Sequence, residues 1–487
     1  MQTITLAMSV DDIIGKVQDA VWGWPLIILI LTAGVWLTVR TGFVQVRHLG
    51  KALKFMVKNE DNGEGEVTSF GALCTALSAT IGTGNIVGVA TAICLGGPGA
   101  LLWMLLAAFF GMATKYSEGF LAIKYREKKD DSHYLGGPFY YIEKGMGSKW
   151  KWLAKLFAVF GICVGLFGIG TFTQINGIAT AVQDFFDPES AHVAFTLFGN
   201  DYTWATVIGG LVVTLCVALV VLGGIQRIAK VSEVIVPFMA ITYVLFALII
   251  VLGHITAIPA AVKLICQSAF DPQAALGAAT GVTIKLAMQK GIGRGIFSNE
   301  AGLGSAPIAA AAAKTKDTVR QGLVTMTGTF IDTIVICTLT GLSIVVTGAQ
   351  NAFVAGSVEG VKITSRAWQT GLPWNGRFSA FVLMVCLAFF AFTTILGWNY
   401  YSERCLEYLV GSQKFTKVYR YVYILAVFIG PYLTVAAVWN IADICNGLMA
   451  FPNLVALFAL SGVVGKETRA YFAEKRHDLK AMAQDKK

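Results

Sequence analysis

Long apolar runs alternate with short polar connections along the whole chain. A helix needs about 20 apolar residues to cross a hydrocarbon core about 30 Å thick, and eleven runs in the sequence approach or exceed that length. They are residues 22–39, 68–95, 100–123, 153–182, 203–222, 233–252, 276–312, 322–348, 377–398, 418–438 and 445–464. Every connection is shorter than thirty residues, which leaves no room for a soluble domain. The pattern predicts an all-α polytopic membrane protein with about eleven transmembrane helices.

Composition supports a membrane location. Of the 487 residues, 55% are apolar and 14% are charged, whereas soluble chains carry about 25% charged residues, so a soluble enzyme is excluded. The nine cysteines form no C-x-x-C pair, which argues against a disulfide framework or a zinc site. The net charge of +9 is compatible with nucleic-acid binding until the positions of the basic residues are considered.

Lysine and arginine concentrate in alternate connections. The segments on one side hold 29 of the 38 basic residues, whereas the segments on the other side hold five. Because basic loops stay in the cytoplasm, this bias predicts an outside N-terminus, a cytoplasmic charged tail at residues 465–487 and no nucleic-acid partner. Basic residues follow the first run instead of preceding it, so we do not expect it to be a cleaved signal peptide.

Glycine and polar residues interrupt two of the runs. One contains residues 78–88 (SATIGTGNIVG) and the other contains residues 290–304 (KGIGRGIFSNEAGLG). Each glycine inside a helix costs about 1 kcal/mol relative to alanine, so these clusters favour unwinding. At membrane depth, a broken helix offers N–H groups to a carboxylate and carbonyl oxygens to a cation. Close helix packing is the alternative role for such glycines.

The interrupted runs occupy matching positions in the chain. Each opens a set of five runs, over residues 68–257 and residues 275–464. Because five is odd, the second set begins on the opposite membrane face, as in an inverted repeat whose substrate site lies near the midplane. Residues 1–67, with one peripheral helix and a cytoplasmic loop, stand outside this five-plus-five repeat.

Two strings resemble signatures of the alanine or glycine:cation symporter family. They are GTGN at residues 82–85 and GIFSNEAGLG at residues 295–304, and the resemblance extends over nearly the whole chain. It implies the five-plus-five fold of leucine-transporter-like sodium symporters. It also implies that Na⁺, occasionally H⁺, is co-transported with alanine or glycine across a prokaryotic plasma membrane, without an organic cofactor.

The resemblance implies a Na⁺ site between the first broken helix and the run 377–398. Adjacent hydroxyl residues supply ligands in this fold, and that role falls on Thr393 and Thr394. Backbone carbonyls of Ser78, Ile81 and Phe390 complete the expected set. Neutral oxygens suit a hard cation, although threonine is also a common helix-packing residue.

The first break is expected to bind the substrate carboxylate. Its ligands would be the N–H groups of Thr83 and Gly84 and the side chain of Asn85, since freed N–H groups and a half-helix dipole favour an anion.

Acceptors for the substrate ammonium group are expected at the second break. They are backbone carbonyls near Gly291 to Gly295, together with the amide of Gln174, an uncharged group that orients a zwitterion by hydrogen bonds. Gln174 serving only as a bridge between helices is the alternative. Candidate walls of a small pocket are Phe167, Phe172 and Trp398, for which ordinary packing is an equal alternative.

Charged residues inside membrane spans are functional candidates by default. Lys115 and Glu118 are three residues apart, so we expect an ion pair between them. Arg294 and Glu300 flank the second glycine cluster and are expected to hold the broken helix to its neighbours or to form part of the inner gate. Asp332 is isolated, and its interpretation as a second cation ligand, a protonatable group or an inter-helix hydrogen-bonding residue stays open.

These features together predict a sodium-coupled symporter that imports small neutral amino acids, namely alanine and glycine, by alternating access. The chain contains no G-x-x-x-x-G-K-[ST] loop, so we exclude direct drive by ATP. One alternative keeps the fold but uses protons, through Asp332 or Glu118, or carries another small amino acid. An intramembrane enzyme and a channel are remote alternatives, the former because the five histidines lie in connections or at span ends.

Overall fold

The apolar runs fold into helices whose polar ends lie in short loops. The computed structural model describes residues 10–58, 63–129, 133–197, 200–271, 282–352, 360–433 and 436–484. The first half contains helices α1 (Val10–Val21), α2 (Trp24–Arg40), α3 (Val44–Arg47), α4 (Leu49–Val57), α5 (Ser69–Thr80), α6 (Val89–Gly96), α7 (Ala100–Lys124), α8 (Pro138–Tyr140), α9 (Lys151–Phe167), α10 (Phe172–Phe186), α11 (Trp204–Val221), α12 (Gly224–Gly253) and α13 (Ile258–Phe270).

The second half contains α14 (Ile284–Asn299), α15 (Ala306–Ala310), α16 (Thr318–Thr329), α17 (Thr338–Val346), α18 (Gly360–Gly371), α19 (Gly376–Val410), α20 (Thr416–Ile429) and α21 (Ala436–Gln484). Wider π-helical turns occupy Gly84–Gly88, Tyr141–Gly145 and Phe330–Cys337. Two short antiparallel hairpins lie in the loops, formed by β1 (Glu127–Lys128) with β2 (Tyr134–Leu135) and by β3 (Val193–Leu197) with β4 (Asn200–Thr203).

The described residues include eight helical segments long and apolar enough to cross a membrane. A ninth candidate is the pair formed by α5 and the segment Gly84–Gly96, which bend by 52° at their junction. The prediction of a helical membrane protein is therefore confirmed. Eleven spans and the inverted repeat stay predictions, because α20 has 14 residues and the α14 sequence carries several charges. The predicted start of the second repeat, at residues 275–281, lies outside the described residues.

The first glycine cluster breaks its helix where the sequence predicts. The Thr68 hydroxyl caps α5 by accepting the N–H of Gly71 at 2.8 Å. The helix ends at Thr80, and the wider turn begins at Gly84 after a three-residue bend. The N–H groups and carbonyls that this bend releases must find partners elsewhere.

The second break lies further along the chain than predicted. Helix α14 is continuous through Gly291 and Gly295, so the prediction of freed carbonyls there is wrong. A side chain at Gly291 would place its Cβ 2.2 Å from the carbonyl oxygen of Ala100, and one at Gly295 would lie 2.9 Å from Met104. These glycines allow α14 to pack closely against α7.

Residues 300–305 form the second break itself. Glu300 adopts a left-handed conformation with φ of +56°, and Gly302 and Gly304 follow with φ of +88° and +82°. Such angles suit glycine and are uncommon for other residues. Helix α15 then resumes at Ala306 with a proline in its first turn, where the missing N–H costs nothing.

The helices pack as two groups. In one, α5 and α6 contact α7, α14, α15 and α16, and in the other, α19 contacts α9, α10 and α12. Helix α5 also packs against α12 and α19, so the first break lies where the two groups meet. Helix α2 packs beside α7 and α21.

Candidate functional site

The backbone of the first break is held by side chains from two other helices and by the nearby Asn85. The N–H of Thr83 donates to Gln174 Oε1 of α10 at 3.2 Å. The carbonyl oxygen of Ile81 accepts a hydrogen bond from Thr394 Oγ1 of α19 at 3.3 Å. The N–H of Gly82 donates to Asn85 Oδ1 at 2.9 Å. The bend therefore presents both donors and acceptors to buried polar side chains.

The structure brings most of the predicted Na⁺ ligands together. Thr393 and Thr394 each donate from Oγ1 to the carbonyl oxygen of Phe390 at 3.0 Å, and Thr394 also reaches Ile81. Ser78 lies on the facing surface of α5, where a Cβ on Gly397 of α19 would come within 2.8 Å of its hydroxyl oxygen. These residues are buried. Thr394 therefore joins α19 to the first break, while the Thr393 hydroxyl also contacts Met239 Sδ of α12 at 3.5 Å.

Asn85 connects the first break to Asp332. Its Nδ2 donates to Asp332 Oδ2 at 2.8 Å, while its Oδ1 accepts the N–H of Gly82. Asn85 is fully buried and both ends of its amide are engaged. Its neighbour Gly84 faces α14, where a Cβ would lie 3.4 Å from Phe297.

Asp332 accepts hydrogen bonds from several residues around the first break and the C-terminal end of α14. Ser298 Oγ donates to its Oδ1 at 2.9 Å and Thr333 Oγ1 donates to the same oxygen at 2.6 Å. Asn299 Nδ2 in turn donates to Thr333 Oγ1 at 3.0 Å. The sequence left the role of this residue open, and the structure shows it bonded across helices.

A different carboxylate holds the second break. Glu118 Oε1 of α7 accepts the N–H of Gly302 at 3.1 Å and Asn453 Nδ2 of α21 at 2.7 Å. Asn453 also donates to the carbonyl oxygen of Gly302 at 2.9 Å. The expected ion pair between Lys115 and Glu118 is absent, and within the described chain Lys115 Nζ is buried without a hydrogen-bond partner. The prediction was wrong because Glu118 is turned towards the unwound backbone.

Glu300 connects the second break to α19. Its Oε1 accepts Trp398 Nε1 at 2.9 Å, and Ser305 donates to its other oxygen. Glu300 therefore holds the broken helix to a neighbour, one of its two predicted roles. Trp398 therefore contacts the second break.

The two predicted phenylalanine walls are not brought to the breaks. Phe167 ends α9 with 46% of its surface exposed, so its assignment as a pocket wall is wrong. Its ring packs against that of Phe172, with centroids 6.0 Å apart. Phe172 is buried beside Gly430, which follows α20, and a Cβ on Gly430 would lie 3.1 Å from the Phe172 ring.

Two cavities lie at opposite ends of α19. The larger, about 1190 Å³, is lined mainly by residues of the connections that carry most of the basic residues, with Arg404 and Glu407 from α19. The smaller, about 380 Å³, is lined by residues of α10, α18 and the start of α19, and it reaches Ile86 beside the first break.

A four-residue cluster, which sequence analysis missed, lines the larger cavity. His133 Nδ1 lies 3.1 Å from Glu66 Oε1, and its Nε2 lies 3.0 Å from Glu407 Oε1. Arg404 Nη1 donates to Glu407 Oε2 at 2.5 Å. The contacts join the segment before α5 to the loop after α7 and to α19. Residues this far apart in sequence carry no short-range signal of their contact.

Charge interactions shift the pKa values of the loop residues in this cluster. Burial lowers the pKa of His133, but hydrogen bonds with Glu407 and Glu66 outweigh that effect and raise it above its ordinary value. Burial raises the pKa of Glu66, but the hydrogen bond from His133 and the positive charge of Arg404 outweigh it and lower the pKa below its ordinary value. The two carboxylates favour a protonated His133, whereas the positive charge of Arg404, whose Nη1 lies 2.5 Å from His133 Nε2, opposes it.

Comparisons with known proteins agree with these features. The sequence pattern of the sodium:alanine symporter family matches residues 7–486. The chain is 45% identical over 477 residues to the sodium/alanine symporter AgcS of Methanococcus maripaludis, covering 97% of this chain and 100% of AgcS. It is 52% identical over 465 residues to an uncharacterized transporter of Haemophilus influenzae, covering 96% and 97% of the two chains.

A solved structure supports the fold alone. The crystal structure of MhsT in complex with L-phenylalanine is similar with a TM-score of 0.52 at 11% sequence identity. The match covers 84% of this chain and 99% of MhsT.

Proposed function

Because the chain belongs to the sodium:alanine symporter family, we propose that it imports alanine and glycine across a prokaryotic plasma membrane by sodium-coupled alternating access. Family membership makes it a transporter and not an enzyme. One observation carries the proposal: the break at Gly82–Gly84 places backbone donors and acceptors beside Thr394 and Gln174. A zwitterion and an alkali ion both need main-chain groups that are free of helical hydrogen bonds, as those of this bend are.

The Na⁺ site proposed here uses Thr393 and Thr394, with the carbonyl oxygens of Ser78, Ile81 and Phe390. The short contacts among four of these residues support it. All are neutral oxygen donors, which suit a hard cation. Because the ligands come from both α5 and α19, bound Na⁺ would hold the two helix groups together.

The substrate carboxylate is proposed to bind the N–H groups of Thr83 and Gly84. Gln174 supports this placement, since its Oε1 already accepts the Thr83 N–H and its amide can turn to donate to a carboxylate. Asn85 then serves mainly to hold the first break against Asp332. The substrate ammonium group is proposed to lie beside Asn85 and Asp332. Gly291 and Gly295 have no place in this site because their carbonyls lie within a continuous helix.

Alternating access is proposed to connect the site with the two cavities in turn. The larger cavity is assigned to the cytoplasmic side because basic connections line it. The distribution of basic residues predicts the N-terminus outside and residues 465–487 inside. Residues 68–257 and 275–464 are proposed as the two five-helix repeats that surround the breaks.

Proton coupling through Asp332 is a second candidate, favoured by one observation. The carboxylate is fully buried between the two breaks and contacts Asn85, Ser298 and Thr333. An intramembrane carboxylate of this kind suits either a cation or a proton. The two candidates differ in which ion gradient drives uptake.

Uptake of radiolabelled alanine into proteoliposomes tests the proposal. An inward Na⁺ gradient should accumulate alanine, whereas K⁺ at the same pH should not. A membrane potential of 100 mV adds about 2.3 kcal/mol per charge, which corresponds to about fifty-fold accumulation at 1.4 kcal/mol per tenfold. Accumulation driven by a pH gradient without Na⁺ would favour the second candidate, and equilibration without accumulation would indicate a channel.

A further inference from the structure

The chain enters α5 and leaves α15 side by side. Residues 64–67 lead into α5 and residues 312–315 follow α15, and we call these two segments the inner ribbon. Val67 pairs with Ala313 as in a parallel sheet. The N–H of Lys314 donates to the carbonyl oxygen of Val67 at 2.8 Å. The inner ends of the two broken helices are therefore joined directly by main-chain hydrogen bonds.

Glycine allows the two segments to lie flush. A Cβ on Gly65 would lie 2.4 Å from the carbonyl oxygen of Ala313, closer than real side chains approach. A Cβ on Gly63, just before the ribbon, would lie 2.1 Å from the carbonyl oxygen of Lys314. Any larger residue at these positions would separate the segments.

One guanidinium group fastens both segments. A terminal nitrogen of Arg126 donates to the carbonyl oxygens of Ala311 at 2.8 Å and Ala313 at 2.7 Å. The other donates to Glu64 at 2.7 Å and Thr315 at 2.5 Å, again at carbonyl oxygens. Arg126 follows the end of α7 and so reaches the ribbon from a third helix of the same group.

The chemistry of this contact is specific to arginine. Its planar fork presents several donors in fixed directions, whereas lysine offers a compact point charge. The Arg126 guanidinium also lies over the ring of Tyr134, 4.5 Å from its centroid. Tyr134 in turn donates from its hydroxyl to Glu64 Oε2 at 3.1 Å. The Tyr134 ring thus contacts the face of the guanidinium, and the carbonyl oxygens accept hydrogen bonds from its edge.

We propose that Arg126 is a positioning residue that makes the inner halves of the two broken helices, α5 and α15, move as one body during transport. The inference rests on the proposed function, because it concerns the step that opens the site inwards. Each half-helix is short, and α15 has only five residues. The ribbon and Arg126 together fasten their inner ends, so movement of α5 is transmitted to the second break.

The contacts of the ribbon with α19 differ in kind. Glu66 is bonded to His133, which bridges to Glu407 of α19. The proposal therefore separates two sets of contacts near the larger cavity. The contacts of Arg126 persist through the transport cycle, while those of His133 break when the cavity opens to the site.

Substitution of Arg126 tests the first part of the proposal. In Arg126→Gln, the maximal rate of Na⁺-driven alanine uptake should fall at least fivefold, with less than a twofold change in KM. Arg126→Lys should fall between this variant and the parent. Lys124→Gln is the matched control, since it removes a neighbouring charge paired with Glu467 but leaves the ribbon untouched. A parental rate in Arg126→Gln would overturn the proposal.

A disulfide across the ribbon tests the second part. Strand spacing of about 4.8 Å falls within the Cα separation of about 4.4–6.8 Å that a disulfide needs. Val67→Cys with Ala313→Cys, in a parent freed of its native cysteines, should transport equally well oxidised and reduced. The same pair should restore uptake to Arg126→Gln when oxidised and lose that effect on reduction. A purely electrostatic or local folding role of Arg126 would not be rescued in this way.

The outcomes are distinguishable from failure of the proposed function. Suppose that the cysteine pair in a chain that keeps Arg126 loses transport on oxidation. This result would show that the two segments must separate, and it would overturn the inference but not the proposed function. This measurement also decides the question if Arg126→Gln does not reach the membrane. Absence of Na⁺-driven uptake in the parent itself would instead refute the proposed function.

Discussion

Removal of the Thr394 hydroxyl is the most informative perturbation of the proposed Na⁺ site. Thr394 is 1% exposed, and its Oγ1 lies 3.3 Å from the carbonyl oxygen of Ile81 and 3.0 Å from that of Phe390. Thr394→Val keeps the branched shape and removes the oxygen. Thr394→Ser keeps the oxygen and removes the methyl group.

The two possible roles of this hydroxyl predict different magnitudes. A hydrogen bond between neutral groups contributes about 1 kcal/mol to stability, whereas an interaction with a charged group contributes about 1.5–3 kcal/mol. If Thr394 is a Na⁺ ligand, Thr394→Val should therefore raise the Na⁺ concentration for half-maximal uptake about ten- to a hundredfold, at 1.4 kcal/mol per tenfold. If Thr394 only bridges α19 and the first break, the same substitution should lower the stability of the protein and leave that Na⁺ concentration unchanged.

The assay is alanine uptake into proteoliposomes at increasing Na⁺, with ionic strength held constant by choline. Thr214→Val is the matched control, because the buried Thr214 hydroxyl donates to the carbonyl oxygen four residues earlier in α11 at 2.7 Å. It loses an equivalent hydrogen bond away from the site. Parental Na⁺ dependence in Thr394→Val, or an equal shift in Thr214→Val, would refute the assignment.

Further predictions concern the breaks and the cluster beside the larger cavity. Asn85→Ala should weaken alanine binding at least tenfold in a radioligand assay, because it frees the break from Asp332; parental affinity would contradict this role. Asp332→Asn should weaken but not abolish Na⁺-driven uptake if the carboxylate only accepts hydrogen bonds, because one of its two accepting oxygens becomes a donor, and should abolish uptake at every pH if it is a cation ligand. The contact of protonated His133 with Glu66 and Glu407 should be fully present below about pH 6.5 and lost as pH rises through the raised pKa of His133, so uptake should accelerate with rising internal pH. Uptake by His133→Gln should be independent of internal pH over that range, and a parental pH profile of uptake in this variant would contradict the role of the histidine.

The site was only partly predictable from sequence. The GTGN string located the first break correctly, because two glycines and two small polar residues within one turn disfavour an α-helix. The same reasoning failed at Gly291 and Gly295. There the glycines are matched to Ala100 and Met104 on α7, and a packed interface keeps the helix intact.

Partner choice within the membrane was decided by the tertiary structure. Lys115 and Glu118 have the spacing of an ion pair, yet Glu118 binds Gly302 and Asn453, which lie far away in sequence. Phe167 is an aromatic residue of the kind that lines pockets, but its side chain is exposed. Spacing along one helix limits which residues can meet, and the neighbouring helices then determine which contacts form.

The sequence by itself determined that this is a helical membrane protein of a sodium symporter family, since span length, hydropathy and signature strings are local properties. Only the tertiary structure decided where the second helix opens and that residues 66, 133 and 407 meet. It also placed Arg126 against the segments that flank both broken helices. Those contacts join segments up to several hundred residues apart, and they depend on how whole helices pack rather than on any short stretch of chain.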